Sequence, residues 1–258
     1  MYAPIEGGGG LLIAWQLRGK RVVLVGGGDV AAGRLVHLKR ADAHVTLIAP
    51  AAELCEEVRF RIDGGEVDEY RDERVTDPEQ LGECDMVLTG IDDAYMSRRI
   101  CDWARMKRIP VNVADVPPEC DFYFGSVIRR GPLQVMVSTG GQGPRISRII
   151  RQRLENALPL SVGLAIERVG ALRRALRTAA PEASMSGPRM HWMSQVCDDW
   201  SLEELARLDE AAITRLIDDG WRRGRVPKPR IRGAAWLYGA IGSLVGALVM
   251  FLVRARKQ

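Results

Sequence analysis

The sequence predicts an α/β protein that begins with a doubly wound parallel sheet. Short, β-branched and largely uncharged runs alternate with helical segments between residues 19 and 115, and this alternation implies right-handed crossovers within a parallel sheet. The residues that follow lose the alternation and show a hairpin signal and then successive helical segments. Of the 258 residues, 47% are hydrophobic, which is enough for one or two domains with a packed core.

The sheet domain is predicted from strand patterns with helices between them. The run 21–25 is typical of these strands, because it is short, β-branched and uncharged after its first residue. The second strand ends at Pro50. The predicted strands cover residues 21–25, 44–48, 86–89 and 110–114, and the predicted helices cover 30–41 and 97–107.

The second half of the chain is predicted to form a hairpin followed by helices. Two strand-like runs flank a turn at 130–132, and the next helix carries its apolar residues on one side. The stretch 179–188 is interpreted as a linker, and Ser201 with Glu204 forms a capping box that opens a short helix. The hairpin strands cover 122–129 and 133–138, and the longer helices cover 145–157, 161–178 and 209–219.

The last predicted element is a transmembrane helix. Residues 234–253 carry no charge, and six cations precede them between Arg222 and Arg232. An uncharged segment of this length spans a bilayer core, and Gly242 with Gly246 forms a GxxxG pair that favours helix pairing in lipid. The alternative is a buried terminal helix of a soluble dimer, although core helices of this length usually carry a polar face.

The glycine turn after the first strand predicts a dinucleotide site, because it matches G-x-G-x-x-G/A between a strand and a helix. Its residues are Gly26, Gly27, Gly28, Asp29, Val30 and Ala31. Gly28 lets the backbone approach a pyrophosphate, which the helix N-terminus then faces. The second strand ends without the acid that usually holds the ribose hydroxyls, and Glu53 comes a few residues later. Because no Arg stands at that strand end to prefer a 2′-phosphate, NAD is favoured over NADP.

Three further places are candidates for chemistry. Asp115 follows the last predicted strand of the sheet, where a carboxylate can act as general acid or base, but a cap or turn role fits equally. Ser138 and Thr139 precede Gly140 in a turn that either binds a carboxylate or phosphate or simply joins strand to helix. His191 is one of only three histidines and so a candidate for chemistry, but a lone His beside Trp is more often a packed residue.

Charge divides the chain into an acidic and a basic part. Residues 53–93 contain 15 acidic and 4 basic side chains, whereas residues 121–180 contain 10 Arg, no Lys and 3 acidic side chains. Arg binds carboxylates and phosphates in bidentate fashion, so the second part suits an anionic ligand; solvated helix faces are the alternative. The five cysteines form no CxxC pair, which fits a reducing, cytoplasmic compartment.

Four motifs follow one another along the chain. They are the segment 17–31 with the glycine turn, the segment 89–93, the segment 111–117 around Asp115, and the segment 137–141 with Pro144 before an Arg-rich helix. Together they resemble the siroheme synthase family of precorrin-2 dehydrogenases/sirohydrochlorin ferrochelatases. The stretches 120–125 and 189–192 are more similar to the stand-alone fungal bifunctional type.

The resemblance implies a Rossmann domain at 1–118, a small α+β dimerisation segment at 119–160 and a helical C-terminal module at 161–221. The basic linker and the predicted transmembrane helix at 222–258 lie outside the family core and are inferred from the residues alone. It implies a homodimer that oxidises precorrin-2 to sirohydrochlorin with NAD, Asp115 being the proton acceptor, and then inserts Fe²⁺ as a substrate. The implied cofactor-binding residues are those of the glycine turn with Thr89 and Asp92, and the implied substrate-binding residues are Ser138, Thr139, Gly140, Arg145 and His191.

The sequence therefore predicts a siroheme-forming enzyme of the cytoplasm that is anchored to a membrane by its C-terminal helix. The alternative is a membrane-attached NAD-binding module without tetrapyrrole chemistry. No nucleic-acid partner and no protein-held metal site are expected, since the tetrapyrrole nitrogens would hold the iron.

Overall fold

The structure, a computed structural model, describes residues 7–228. Within this range the chain divides into two compact units. The first consists of residues 7–126 and 136–151, and the second consists of residues 127–135 and 152–228.

Five parallel strands form the sheet of the first unit. They are β1 (Arg21–Val25), β2 (His44–Ile48), β3 (Glu69–Arg71), β4 (Met86–Thr89) and β5 (Val111–Val113). Their order across the sheet is β3-β2-β1-β4-β5. The register pairs Val25 with both Ile48 and Thr89, and it pairs Thr89 with Val113. Since Ile48 also pairs with Arg71, all five strands end level with one another at the carboxyl edge of the sheet.

Helices cover both faces of this sheet. They are α1 (Asp29–Lys39), α2 (Glu56–Asp63) and α3 (Ala94–Met106). Leu35 of α1 belongs to the buried cluster that contains Leu24, whereas Ile100 of α3 belongs to the cluster that contains Val23. Neighbouring residues of a strand point to opposite faces, so α1 and α3 lie on opposite sides. The predicted doubly wound arrangement is confirmed.

A hairpin and a helix follow the sheet, as predicted. They are β6 (Ser126–Arg130), β7 (Leu133–Val137) and α4 (Pro144–Ala157). The guanidinium of Arg130 donates hydrogen bonds to the carbonyl oxygens of Glu155, Leu158 and Pro159, at 2.8, 2.6 and 3.0 Å. Arg130 thereby ties β6 to the last turn of α4 and to the two residues that follow α4.

The second unit contains a helical bundle. Its helices are α5 (Val162–Ala179), α6 (Ser186–Asp199), α7 (Leu202–Ala206) and α8 (Glu210–Arg215), followed by a π-helical turn at Leu216–Gly220. Leu172, Trp192 and Leu205 lie in its buried core. The predicted capping box is confirmed. The N–H of Ser201 donates to the carboxylate of Glu204 at 2.8 Å, and the N–H of Glu204 donates to Ser201 Oγ at 3.2 Å.

Some local predictions need correction. The predicted linker at 179–188 is wrong, because a 3₁₀ turn occupies Ala183–Met185 and α6 already begins at Ser186. Helix α2 and strand β3 were not predicted. Val58 is the one buried residue of α2, and β3 is a three-residue edge strand with the sequence Glu-Tyr-Arg, so neither carries a clear apolar period.

The predicted fold class also needs correction, because it included a C-terminal transmembrane helix. Among residues 7–228, no helix is both long enough and apolar enough to cross a membrane. The segment for which the span was predicted, 234–253, lies outside the described residues. The fold class is therefore a Rossmann-like five-stranded parallel sheet with a helical C-terminal region.

Candidate active site

The carboxyl edge of the parallel sheet brings three predicted site segments together. The glycine turn follows β1, Gly90 follows β4, and Asp115 stands two residues after β5. Since these strands end in register and neighbouring strands lie about 4.8 Å apart, the ends of β1 and β5 are separated by about 10 Å. In open α/β sheets, this edge is where ligands bind.

The glycine turn is held tightly against the neighbouring loops. Gly26 has φ +119°, and a Cβ atom added there would lie only 2.3 Å from the carbonyl oxygen of Gly90. A Cβ atom on Gly27 would lie 2.6 Å from a methyl group of Leu54. The N–H of Gly90 donates to the carbonyl of Val25 at 2.8 Å, which fixes the two loops together. Side chains are therefore excluded at Gly26 and Gly27 by packing.

Gly28 differs, because its missing side chain leaves open space. A Cβ atom there would meet nothing within 4 Å, and the residue has an ordinary extended backbone with φ −83°. The first hydrogen bond of α1 runs from the N–H of Ala32 to the carbonyl of Gly28, at 3.0 Å. The preceding amides of Asp29, Val30 and Ala31 thus have no partner within the helix. These amides, the positive end of the helix and the open space fit the pyrophosphate of a dinucleotide.

Thr89 and Asp92 flank this turn in different ways. Thr89 is 2% exposed, and its hydroxyl has no hydrogen-bond partner among the described residues. Asp92 is exposed, whereas the next residue, Asp93, caps α3 by accepting from the N–H of Met96 at 2.9 Å. Of the two predicted cofactor-binding residues Thr89 and Asp92, only Asp92 therefore offers an accessible side chain.

The ribose-binding acid expected at the end of the second strand is absent, as the sequence indicated. The chain continues from β2 through Ala49 and Pro50 into a 3₁₀ turn at Ala51–Glu53. The carboxylate of Glu53 pairs with the guanidinium of Arg74. The backbone of Glu53 nevertheless lies beside the glycine turn, since a Cβ atom on Gly27 would be 3.1 Å from its carbonyl oxygen.

Asp115 is exposed and has an unusual backbone conformation. Its φ is +61°, in the left-handed region that non-glycine residues rarely adopt and that is enriched at functional sites. The turn that follows is capped by Val116, with no side-chain cap. Asp115 therefore does not cap that turn, and no hydrogen bond or ion pair to another described residue occupies its carboxylate.

An arginine that was not predicted from the sequence lies near Asp115. Arg34 of α1 is half-buried, and its guanidinium carbon lies 4.0 Å from the ring centroid of Phe124. Burial lowers the pKa of the Arg34 guanidinium, while the nearby Cys120 thiol and Asp115 carboxylate raise it. Arg34, Phe124 and Asp115 therefore belong to one cluster.

Asn112 of β5 anchors the segment that carries Phe124. It is 3% exposed, and its side-chain amide donates to the carbonyl of Phe122 at 2.8 Å and to the sulfur of Cys120 at 3.3 Å. The rings of Phe122 and Phe124 are in tilted contact, with centroids 5.8 Å apart. The aromatic surface beneath Arg34 is thus fixed to the sheet by a buried polar contact.

The loop before α4 uses its hydroxyl groups to stabilise itself. The N–H of Gly140 donates to Ser138 Oγ at 3.3 Å, and the N–H of Gly143 donates to Thr139 Oγ1 at 3.2 Å. Arg145, the second residue of α4, is exposed. These predicted substrate-binding residues belong to the same unit as Asp115.

His191 is an exposed residue of α6 in the second unit, and its neighbour Trp192 is buried in the core of that unit. The interpretation of His191 as a packed residue is therefore wrong. Within residues 7–228, no three His, Cys, Asp or Glu side chains form a group that could hold a metal ion.

Three family models match consecutive parts of the chain. They are described as putative NAD(P)-binding over residues 13–126, sirohaem biosynthesis protein central over 130–157, and sirohaem biosynthesis protein C-terminal over 159–227. Siroheme biosynthesis protein met8 of Schizosaccharomyces pombe is 50% identical over 216 residues, which cover 84% of this chain and 81% of that protein.

Bacterial relatives are longer. The siroheme synthase of Nitrosospira multiformis is 38% identical over 232 residues, which are 89% of this chain but 48% of that protein. Among solved structures, SirC, precorrin-2 dehydrogenase, matches with a TM-score of 0.61 over 81% of this chain and 98% of its own, at 18% identity. This likeness shows a shared fold.

Proposed function

The chain belongs to the siroheme biosynthesis protein family, and on that premise we propose that it oxidises precorrin-2 to sirohydrochlorin with NAD⁺ and then inserts Fe²⁺ to form siroheme. The observation that carries the proposal is the carboxyl edge of the sheet. It combines a dinucleotide-binding turn with the accessible carboxylate of Asp115, which has no partner within residues 7–228. A dehydrogenase needs both a hydride acceptor and a proton acceptor at one place.

In the first reaction, the tetrapyrrole loses a hydride and a proton. NAD⁺, when bound, supplies the hydride acceptor. The glycine turn and the free amides of α1 hold its pyrophosphate, and Asp92 offers a polar group beside it. Asp115 removes the proton from the substrate carbon framework, which lets the new double bond form.

In the second reaction, Fe²⁺ is a substrate and replaces two protons on the pyrrole nitrogens. Asp115 accepts these protons one at a time and releases each to solvent, which its exposed side chain permits, so one carboxylate serves both steps. We assign the polycarboxylate periphery of the tetrapyrrole to Ser138, Thr139, Gly140 and Arg145, which belong to the same unit as Asp115. Arginine forms bidentate contacts with carboxylates, and the Arg-rich segment 121–180 supports an anionic substrate.

The direct test is incubation of the purified full-length protein with precorrin-2 and NAD⁺, with and without Fe²⁺, followed by absorption spectroscopy. We expect Asp115→Asn to reduce turnover by about 10²–10⁴-fold, the usual contribution of a positioned acid or base. Asn tolerates positive φ nearly as well as Asp, so the backbone of Asp115 is preserved. NAD affinity should stay unchanged.

Asp102→Asn is the matched control, because Asp102 is an exposed carboxylate on α3 of the same unit. It should leave both reactions unchanged. Full turnover by Asp115→Asn would contradict the role of Asp115. A wild-type protein that binds NAD but neither binds nor converts a tetrapyrrole would instead support the NAD-binding module, which the family membership disfavours.

The outer side of α4 supports a homodimer. Four aliphatic side chains at helical spacing are 39–58% exposed although they form one apolar stripe. They are Ile146, Ile149, Ile150 and Leu154. We propose that a second copy of the chain covers this stripe. Complete burial of such a side chain contributes about 1.5–3 kcal/mol, and these side chains are about half exposed, so roughly half of that is available from each.

The state of the cysteines supports a reducing compartment, and we propose the cytoplasm. All five cysteines are free thiols, and Cys197 is exposed. Burial raises the pKa values of the Cys84, Cys101 and Cys120 thiols, which keeps these groups protonated and weakly reactive. Proteins of oxidising compartments more often pair such thiols in disulfides.

A further inference from the structure

Arg34 is in an unusual state for an arginine of a helix surface. Its guanidinium is half-buried, yet no described residue accepts a hydrogen bond from it or forms an ion pair with it. Guanidinium groups that lose water are normally compensated by carboxylates or carbonyl oxygens. The burial of Arg34 without such compensation leaves its N–H donors available to a ligand.

The orientation of the guanidinium is set by an aromatic surface. Arg34 lies over Phe124 at 4.0 Å, and Phe124 is in contact with Phe122 and with His37, with ring centroids 5.8 and 5.7 Å apart. Stacking of this kind restrains the plane of the guanidinium but does not use its N–H groups, which point outward in that plane. The group is thus preorganised to bind a planar anion with two oxygens.

The position of Arg34 near Asp115 indicates the chemical class of the planar anion that it would bind. The carboxylate of Asp115 lies close enough to act on the charge of Arg34, although the two form no direct ion pair among the described residues. We propose that Arg34 binds a peripheral carboxylate of the tetrapyrrole and so holds the ring over Asp115. This inference rests on the proposed function, since it names a contact of the same substrate in the same site.

Two other roles for Arg34 make different predictions. If Arg34 bound the phosphates of NAD, its loss would weaken NAD binding. If it acted only by positioning Asp115, its loss would lower kcat and shift the pH profile without changing tetrapyrrole affinity. A substrate-carboxylate contact instead weakens binding of the tetrapyrrole and leaves NAD affinity unchanged.

The experiment compares Arg34→Met, Arg34→Lys and Arg40→Met in the full-length protein. Sirohydrochlorin binding is measured by absorption titration, NAD binding by calorimetry, and precorrin-2 turnover by steady-state kinetics. We expect Arg34→Met to raise the Kd for sirohydrochlorin and the KM for precorrin-2 by about 10- to 100-fold, as for loss of a charged hydrogen bond. Met retains contact with Phe124, which preserves packing. Arg34→Lys should recover part of the affinity.

Arg40 is the control, because it is an exposed arginine at the end of the same helix. Arg40→Met should bind sirohydrochlorin like the wild type. Unchanged sirohydrochlorin affinity in Arg34→Met, or a loss confined to NAD, overturns the inference. A wild-type protein that binds sirohydrochlorin without oxidising precorrin-2 would remove the proposed dehydrogenase activity, while the Arg34 titration would still decide the carboxylate contact.

Discussion

Two glycines of the same turn should respond in opposite ways to alanine substitution. At Gly26 the backbone has φ +119°, where an alanine is strained by about 1–3 kcal/mol. The added methyl group would also lie 2.3 Å from the carbonyl oxygen of Gly90. The loops after β1 and β4 must then separate, which weakens the hydrogen bond from the N–H of Gly90 to the carbonyl of Val25. The loss of this hydrogen bond lowers the stability by about 0.5–1.5 kcal/mol more.

Gly26→Ala should therefore destabilise the first unit by about 1.5–4.5 kcal/mol, which lowers its Tm by about 3–18 °C for a domain of this size. At Gly28, by contrast, φ is −83° and an added methyl group meets nothing within 4 Å. Gly28→Ala should therefore keep the Tm of the wild type or raise it slightly, because alanine restricts the unfolded chain.

The methyl group of Gly28→Ala occupies the space through which a pyrophosphate approaches the free amides of α1. NAD affinity should fall by about tenfold or more, equivalent to about 1.4 kcal/mol. The assay is calorimetric unfolding without ligand, combined with NAD titration of each variant. Wild-type NAD affinity in Gly28→Ala would refute the pyrophosphate site, and a wild-type Tm in Gly26→Ala would refute the packing argument.

Two further predictions concern other surfaces. Ile146→Glu should convert the proposed dimer into a monomer in sedimentation equilibrium, because it places a charge in the apolar stripe of α4. Gln152→Glu, which lies on another side of the same helix, should leave the dimer intact. Hydrogen bonds from the side chain of Lys20 and the backbone of Arg21 lower the pKa of Asp85 below its ordinary value of 3.8. The stabilising effect of the Asp85 carboxylate is therefore present above pH 3.8 and is lost as the pH falls through the lowered pKa. Urea unfolding should thus show Asp85→Asn to be less stable than wild type at about pH 6, with a difference that shrinks as the pH falls below 3.8.

The sheet and its carboxyl edge could be predicted because they depend on local patterns. The strands at 21–25, 44–48 and 86–89 have the predicted bounds, since short β-branched runs in a buried parallel sheet give a strong signal. Parallel register then places the residues after each strand at one edge. For this reason the sequence alone predicts that the glycine turn and Asp115 lie at the same edge of the sheet.

The environment of Arg34 could not be predicted in this way. Nothing in the local sequence separates Arg34 from Arg40, which is exposed at the end of the same helix. What distinguishes Arg34 is Phe124, ninety residues later in the chain, together with the hydrogen bond by which Asn112 holds that segment on the sheet. Burial that arises from such distant contacts leaves no periodic trace in the sequence around the buried residue.

The geometry of the edge also allows the two proposed reactions to be separated. Oxidation needs both the dinucleotide turn and Asp115, whereas iron insertion needs a proton acceptor but no hydride acceptor. Gly28→Ala should therefore lose precorrin-2 oxidation at limiting NAD⁺ and still insert Fe²⁺ into added sirohydrochlorin, because Asp115 lies two strands away, about 10 Å from the substituted turn. Asp115→Asn should lose both reactions while NAD still binds. If Gly28→Ala lost iron insertion as well, the glycine turn would be needed for both reactions, and the proposed separation of the two would be wrong.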